Sequence, residues 1–143
     1  VSFLFPLSLM SGPAVFLDLR SPEGAAEVTL QRLQVAADQA GGVHRGDIVL
    51  CLVGDDDDFA TDALQWLVDQ GMKLMGVSSG GVEREDPEHR NINHLVLFRA
   101  GIPLIENVAN LHQLTQPRVQ VYALPIPARD VDAFPLRVVA IEQ

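Results

Sequence analysis

Few residues of this 143-residue chain combine the right type with a placement that could support chemistry. The first pair is His94 and Glu106, twelve positions apart at the two ends of an apolar stretch. After His94, Leu95 and Phe98 recur at helical spacing and Gly101 stops the helix. Ile102–Ile105 then reads as a short strand that delivers Glu106 to its end, before a second helix-like segment, Asn107–Leu114. Working groups in α/β folds sit at this kind of turn out of a strand. The same two residues also suit plainer roles, a surface histidine and a carboxylate near a helix N-terminus, and their spacing alone does not choose.

Other reactive residue types have simpler readings. Cys51 is the only cysteine, so it has no disulfide partner within the chain, and its apolar neighbours mark it as a core thiol rather than a nucleophile. The run Asp55–Asp58 lacks the alternate ligand spacing and turn glycine of a calcium loop, so it reads as a solvated loop before a helix. His44 falls in a turn, His89 in a charged solvated loop, and His112 on a surface.

The elements that must position these groups follow from periodicity and punctuation. Ala14–Leu19 is a strand bounded by Gly12-Pro13 and Ser21-Pro22, with Asp18 alternating outward or toward a site. Thr29 caps a helix over Leu30–Gln39 that Gly41-Gly42 ends. Asp47–Val53 is nearly continuous apolar sequence, as in a central strand covered on both faces. A helix over Ala60–Gln70 buries Ala63, Leu64, Leu67 and Val68, with Trp66 beside that face and Gly71 as its stop. The strand Lys73–Val77 follows, giving a strand–helix–strand unit with a right-handed crossover. Val82–Arg90 is a charged loop, Arg118–Pro125 alternates as a strand with Val119, Val121 and Ala123 on one face, and Leu136–Ile141 is the last strand.

Composition bounds the function. With 48% hydrophobic residues the chain supports one domain with a modest core. The 19 acidic against 10 basic residues argue against a nucleic-acid surface and leave a small neutral or cationic ligand, or another protein. The opening VSFLFPLSLM lacks a basic flank and is interrupted by Pro6, so it is neither a secretory leader nor a membrane span. A cytoplasmic location is expected. That apolar opening must be covered by its own core or by a second subunit, so a homo-oligomer, a dimer or larger, is expected too.

Several segments occur together in an order that carries a resemblance. They are GPAVFLDL (12–19), GDIVLCLVG (46–54), LQWLVDQGMKLMGVSS (64–79), His94 with LFRAG (97–101), IENVANL (105–111), ALPIP (123–127) and PLRVVAI (135–141). In this combination the chain, from about residue 7 to its C-terminus, resembles the cyclase family of metal-dependent hydrolases, best known for the kynurenine formamidases (arylformamidases). The resemblance implies an α/β fold, a three-layer β/β/α arrangement of swivelling-domain type. Its mixed sheet would contain strands 14–19, 47–53 and 73–77, with helices packed on one side. It also implies a centre of one or two zinc or manganese ions. Most of that centre comes from a His-x-Gly-Thr-His-x-Asp-x-Pro-x-His motif, and a histidine and a glutamate matching His94 and Glu106 add to it.

No such motif stands in this chain. Residues 1–143 therefore read as a single cyclase-like domain without the segment bearing that motif, keeping His94 and Glu106 as a partial metal site. Two further departures concern the pocket: aspartates replace the bulky residues of the family's loop at 55–58, and Ser78 stands where an aspartate is usual. The expectation is a truncated family member with a weak or absent metal and little or no activity by itself, with no catalytic residue assigned. The alternatives are an active formamidase-like hydrolase whose other ligands come from another chain or subunit, and a non-catalytic binding or oligomer-forming module.

Overall fold

A computed structural model describes residues 6–24, 27–83, 88, 90–126, 128 and 130–143. Its centre is a six-stranded mixed sheet in the order β4-β3-β2-β1-β5-β6. Strands β1 (Ser11–Asp18), β2 (Ile48–Leu52), β3 (Leu74–Val77) and β4 (Leu104–Ile105) run parallel. On the other flank, β5 (Arg118–Pro125) and β6 (Leu136–Ile141) continue the sheet antiparallel. Parallel neighbours need crossovers, and helices α1 (Leu30–Gln39), α2 (Thr61–Gln70) and α3 (Ile92–Arg99) supply them in turn. All the parallel strand ends therefore face one rim, where the connecting loops gather.

Every residue of β2 and β3 is buried, which is why both are apolar without alternation. One core lies between the sheet and the helices, where Val49, Cys51, Met75 and Val77 meet Leu33, Leu64, Leu67 and Leu97. The other face turns Ala14, Ile48, Leu50 and Leu74 toward Ile105, Val108, Leu111 and the inner side of β5, with Val119, Val121 and Ala123. Helices thus pack on one side of a mixed sheet, and the sheet's antiparallel flank curls over the other. Thr29 caps α1 by accepting the Arg32 N–H, and Gly71 ends α2 in the left-handed conformation (φ 86°) that a β-carbon would disfavour.

Several expectations need correction. The segment Asn107–Leu114 is not a helix but a single 3-10 turn at Leu111–Gln113. Asn107 and Asn110 take left-handed φ values of 55° and 66°, and such residues interrupt an α-helix. The strand before Glu106 is only Leu104–Ile105. In α3 the apolar Leu95 and Phe98 are 40% and 56% exposed, and the buried residues are Asn93 and Leu97.

Asn93 explains that inversion. Its Nδ2 donates to the carbonyls of Phe59 (2.7 Å) and Val82 (2.9 Å), and its Oδ1 accepts from the Thr61 hydroxyl (2.8 Å). A buried amide satisfied on both ends pins α3 to the start of α2 and to the loop after β3. Removing it would leave the Phe59 carbonyl without that donor, at about 1–3 kcal/mol. The Asp55–Asp58 run is also not wholly solvated: Asp57 is buried, accepts the Gly54 N–H at 3.0 Å and lies 3.7 Å from the Arg32 guanidinium. His89 and residues 1–5 of the apolar opening lie outside the described residues, while Met10 is buried and Leu7 is 69% exposed. Among the described residues no helix is long and apolar enough to cross a membrane.

Candidate metal centre

Three segments meet at the rim beyond β3 and β4: the loop Ser78–Glu83, the start of α3, and the turn after β4. Backbone hydrogen bonds stitch them together, from Asn107 N–H to the Ser79 carbonyl (2.8 Å) and from Val108 N–H to the Val77 carbonyl (2.9 Å). They hold the residues flanking Glu106 against the continuation of β3. The Ser79 hydroxyl closes the loop on itself by donating to the Gly81 carbonyl at 2.9 Å.

His94 and Glu106 converge there. His94 Nε2 lies 3.3 Å from Glu106 Oε1. On the opposite side of the ring, Nδ1 lies 3.2 Å from Glu83 Oε1, and the same oxygen accepts the His94 backbone N–H at 2.8 Å. The ring of Phe98, one helical turn on, packs edge-on against the imidazole with centroids 5.7 Å apart. The side chains are partly open to solvent: 25% exposed for His94, 21% for Glu83 and 39% for Glu106. Among the described residues no lysine or arginine pairs with either glutamate. One imidazole between two carboxylates makes a small acidic cradle that favours a cation.

The donor set suits a divalent ion in type, since imidazole nitrogen and carboxylate oxygen are ligands that zinc and manganese accept. Space is left for it as well: a β-carbon at Gly81 would sit 3.1 Å from Glu106 Oε1 and 3.9 Å from His94 Cε1, so the bare glycine keeps the cradle open. In number the set is short. Among the described residues no group of three or more His, Cys, Asp and Glu side chains could hold a metal, whereas catalytic zinc uses three protein ligands.

Sequence reasoning did not find Glu83. It lies eleven residues before His94 on the far side of a charged loop, and no helical or strand spacing links the two. Ser78 does not join the cradle; its hydroxyl accepts from Val53 N–H (2.9 Å) and donates to the Val53 carbonyl (3.1 Å), tying the ends of β2 and β3. His112 is exposed and away from the cluster, as expected. Cys51 is fully buried and its thiol is pushed up to about 12 by desolvation, which makes it chemically inert in the folded chain.

His44 has a more specific role than a free loop residue. Its backbone N–H donates to Asp47 Oδ2 at 2.7 Å, Arg118 Nη1 donates to the same oxygen at 2.6 Å, and Arg118 Nη2 meets His44 Nδ1. This second cluster sits at the starts of β2 and β5, the opposite rim of the sheet.

Comparison with known proteins bears on the family and the fold. The family model described as "Putative cyclase" matches residues 4–84. The kynurenine formamidase of Paracidovorax citrulli (strain AAC00-1) is 28% identical over 81 residues, 57% of this chain and 37% of that protein. A solved structure of a potential metal-dependent hydrolase with cyclase activity superposes with a TM-score of 0.78 at 26% identity, over 94% of this chain and 67% of that one. A predicted metal-dependent hydrolase from Bacillus stearothermophilus gives 0.77 at 26% identity, over 94% and 65%. Isatin hydrolase A from Ralstonia solanacearum shares the fold, with a TM-score of 0.77 at 19% identity over 99% of this chain and 64% of that one. The chain thus spans 37% of the length of the curated relative it matches and about two thirds of these solved structures.

Proposed function

The chain belongs to the cyclase family, and from that premise we propose that it is part of a metal-dependent hydrolase of amide or ester bonds, with His94 and Glu106 as two ligands of an incomplete centre. The observation that supports this reading most is the convergence of His94 Nε2 and Glu106 Oε1 to 3.3 Å across twelve residues of sequence, in a cradle that Gly81 keeps open.

The roles of the chain's own residues follow from the geometry. Glu106 presents its carboxylate from the end of the parallel sheet, His94 presents Nε2 from α3, and Phe98 shields one edge of the imidazole from water. A divalent ion held between them would supply Lewis acidity at a carbonyl oxygen and lower the pKa of water. Two protein ligands hold such an ion weakly, so the chain by itself has little or no turnover, and the remaining ligands come from outside the described residues.

One observation favours association with another subunit. The outer face of the β5–β6 pair exposes Tyr122 and Leu124 beside Val139 and Ile141, and among the described residues β6 is the edge of the sheet. An apolar edge of this kind is covered most simply by self-association. Light scattering should then give a dimer or larger particle, and a clean 15.6 kDa monomer at micromolar concentration would count against it.

The activity test is hydrolysis of N-formylkynurenine and simple aryl esters with and without added zinc or manganese, alongside elemental analysis, for the wild type and for His94→Ala and Glu106→Ala. The expected result is substoichiometric metal and negligible turnover. Stoichiometric metal with turnover abolished by either substitution would replace the incomplete centre by a complete one.

A further inference from the structure

We infer that Glu83 is a positioning residue that sets the tautomer of His94, holding the ring proton on Nδ1 so that the Nε2 lone pair faces Glu106. This rests on the reading of His94 and Glu106 as metal ligands and adds what prepares them. The argument starts from one oxygen. Glu83 Oε1 accepts the His94 backbone N–H at 2.8 Å, and that N–H can only donate. The same oxygen lies 3.2 Å from Nδ1, so it is an acceptor toward the ring as well, and a neutral ring meets it with its single proton on Nδ1.

Glu83 is itself fixed. Asn91 begins α3 in a left-handed conformation and makes no side-chain cap, so the N–H of His94 in the first turn is satisfied from Glu83 instead. The helix N-terminus favours the negative charge there. Adjacent contacts lock the register of loop on helix: the Val82 carbonyl takes Asn93 Nδ2 at 2.9 Å, and Glu83 takes His94. Glu83 thus holds both the rotation of the ring and the placement of its proton.

The consequence appears at the other nitrogen. With the proton on Nδ1, a neutral ring turns a lone pair toward a carboxylate oxygen 3.3 Å away, and two acceptors facing each other call for a cation between them. With the proton on Nε2, the ring would donate to Glu106 and close the pair. A carboxylate behind a ligating histidine is how metal sites fix ring orientation and tautomer, and its removal costs about 10- to 100-fold in metal affinity.

The tautomer is read directly from two-bond nitrogen–proton correlations of the His94 ring in the metal-free, nitrogen-15-labelled chain, with the imidazole neutral. The wild type should show Nδ1 protonated and Nε2 bare. Glu83→Gln, whose amide oxygen still accepts, should retain that pattern. Glu83→Ala should move the proton to Nε2 and weaken zinc binding about 10- to 100-fold, against less than about tenfold for Glu83→Gln. A wild-type ring protonated on Nε2, or an Nδ1 proton that survives in Glu83→Ala, would overturn the inference. If Glu83→Ala does not fold, the wild-type and Glu83→Gln spectra decide it. Zinc that leaves the Nε2 resonance of the wild type unmoved, with the Nδ1–H pattern intact, would defeat the metal reading while the positioning role stands.

Discussion

The two histidine–carboxylate clusters at opposite rims of the sheet share their parts and differ in one. At the starts of β2 and β5, Asp47 is held by the His44 N–H and by the Arg118 guanidinium, and its side chain is only 5% exposed. Beyond β3 and β4, Glu83 and Glu106 flank His94 with no arginine or lysine paired to either among the described residues. The first cluster is neutralised internally and closed. The second keeps an uncompensated carboxylate that is 39% exposed, beside a glycine whose side chain would have filled the gap. The first cluster satisfies its charge from within; on the proposed reading the second leaves one for a ligand.

That contrast breaks most visibly at Asp47. Asp47→Ala removes the acceptor shared by Arg118 and the His44 N–H and leaves a cation facing a buried strand end. Breaking a buried pair costs several kcal/mol, but Arg118 is 33% exposed and solvent screens part of the loss. The expected destabilisation is about 2–3 kcal/mol, roughly 5–10 °C in Tm. Urea unfolding measures it, and alkylation of Cys51 reports the same opening locally, since this buried thiol in β2 reacts only when the sheet opens. An unchanged Tm would mean the Asp47 cluster is not structural. Glu83→Ala should come next in size, losing about 1 kcal/mol as a helix N-terminal cap.

At Glu106 the fold should hardly notice the loss. Glu106→Ala removes a half-open carboxylate that lies on the other side of the ring from Glu83 in a chain of net charge −9, so stability should stay within about 0.5 kcal/mol. Any zinc binding should be lost with it. Calorimetric titration with zinc, beside a thermal melt, checks both halves. A variant that unfolds but still binds would show that Glu106 had been assigned to the wrong kind of cluster.

Much of this framework was legible in the sequence because it depends on local pattern. The buried runs of β2 and β3, the Thr29 cap and the Gly71 stop were each decided within a few residues. His94 and Glu106 stood out by type and placement, their reading as metal ligands came from resemblance to a family, and only the fold brings them to 3.3 Å. Glu83, the burial of Asp57 against Arg32 and the Asp47–Arg118 pair were not legible, because each is decided by a partner that tertiary structure supplies. Asn93 misled most directly: a polar residue on the buried side of α3 reverses the face that Leu95 and Phe98 suggest. Periodicity reports apolar burial, and a fully satisfied buried amide leaves no trace in it.

The smallest expected effect comes from an ion pair that is neutralised like Asp47 but exposed. Asp18 accepts from Arg20 at 2.6 Å, with side chains 44% and 54% exposed. The hydrogen bond from Arg20 holds the Asp18 carboxyl below its ordinary value of 3.8. A carboxyl depressed in the folded state adds stability that is present above its unfolded pKa and lost as pH falls through its folded pKa, here below about pH 3.8. Arg20→Ala should therefore lower stability slightly at neutral pH, and the two stability curves should merge in acid. Because the partners are two residues apart, the unfolded chain keeps part of the pairing, and solvent screens the rest. Urea midpoints measured from neutral to acid pH, in parallel with Asp47→Ala, should show a small difference for Arg20→Ala against a large one for Asp47→Ala. Equal losses would mean that burial does not separate these two pairs, and the contrast between closed and open clusters would then have to rest on metal binding alone.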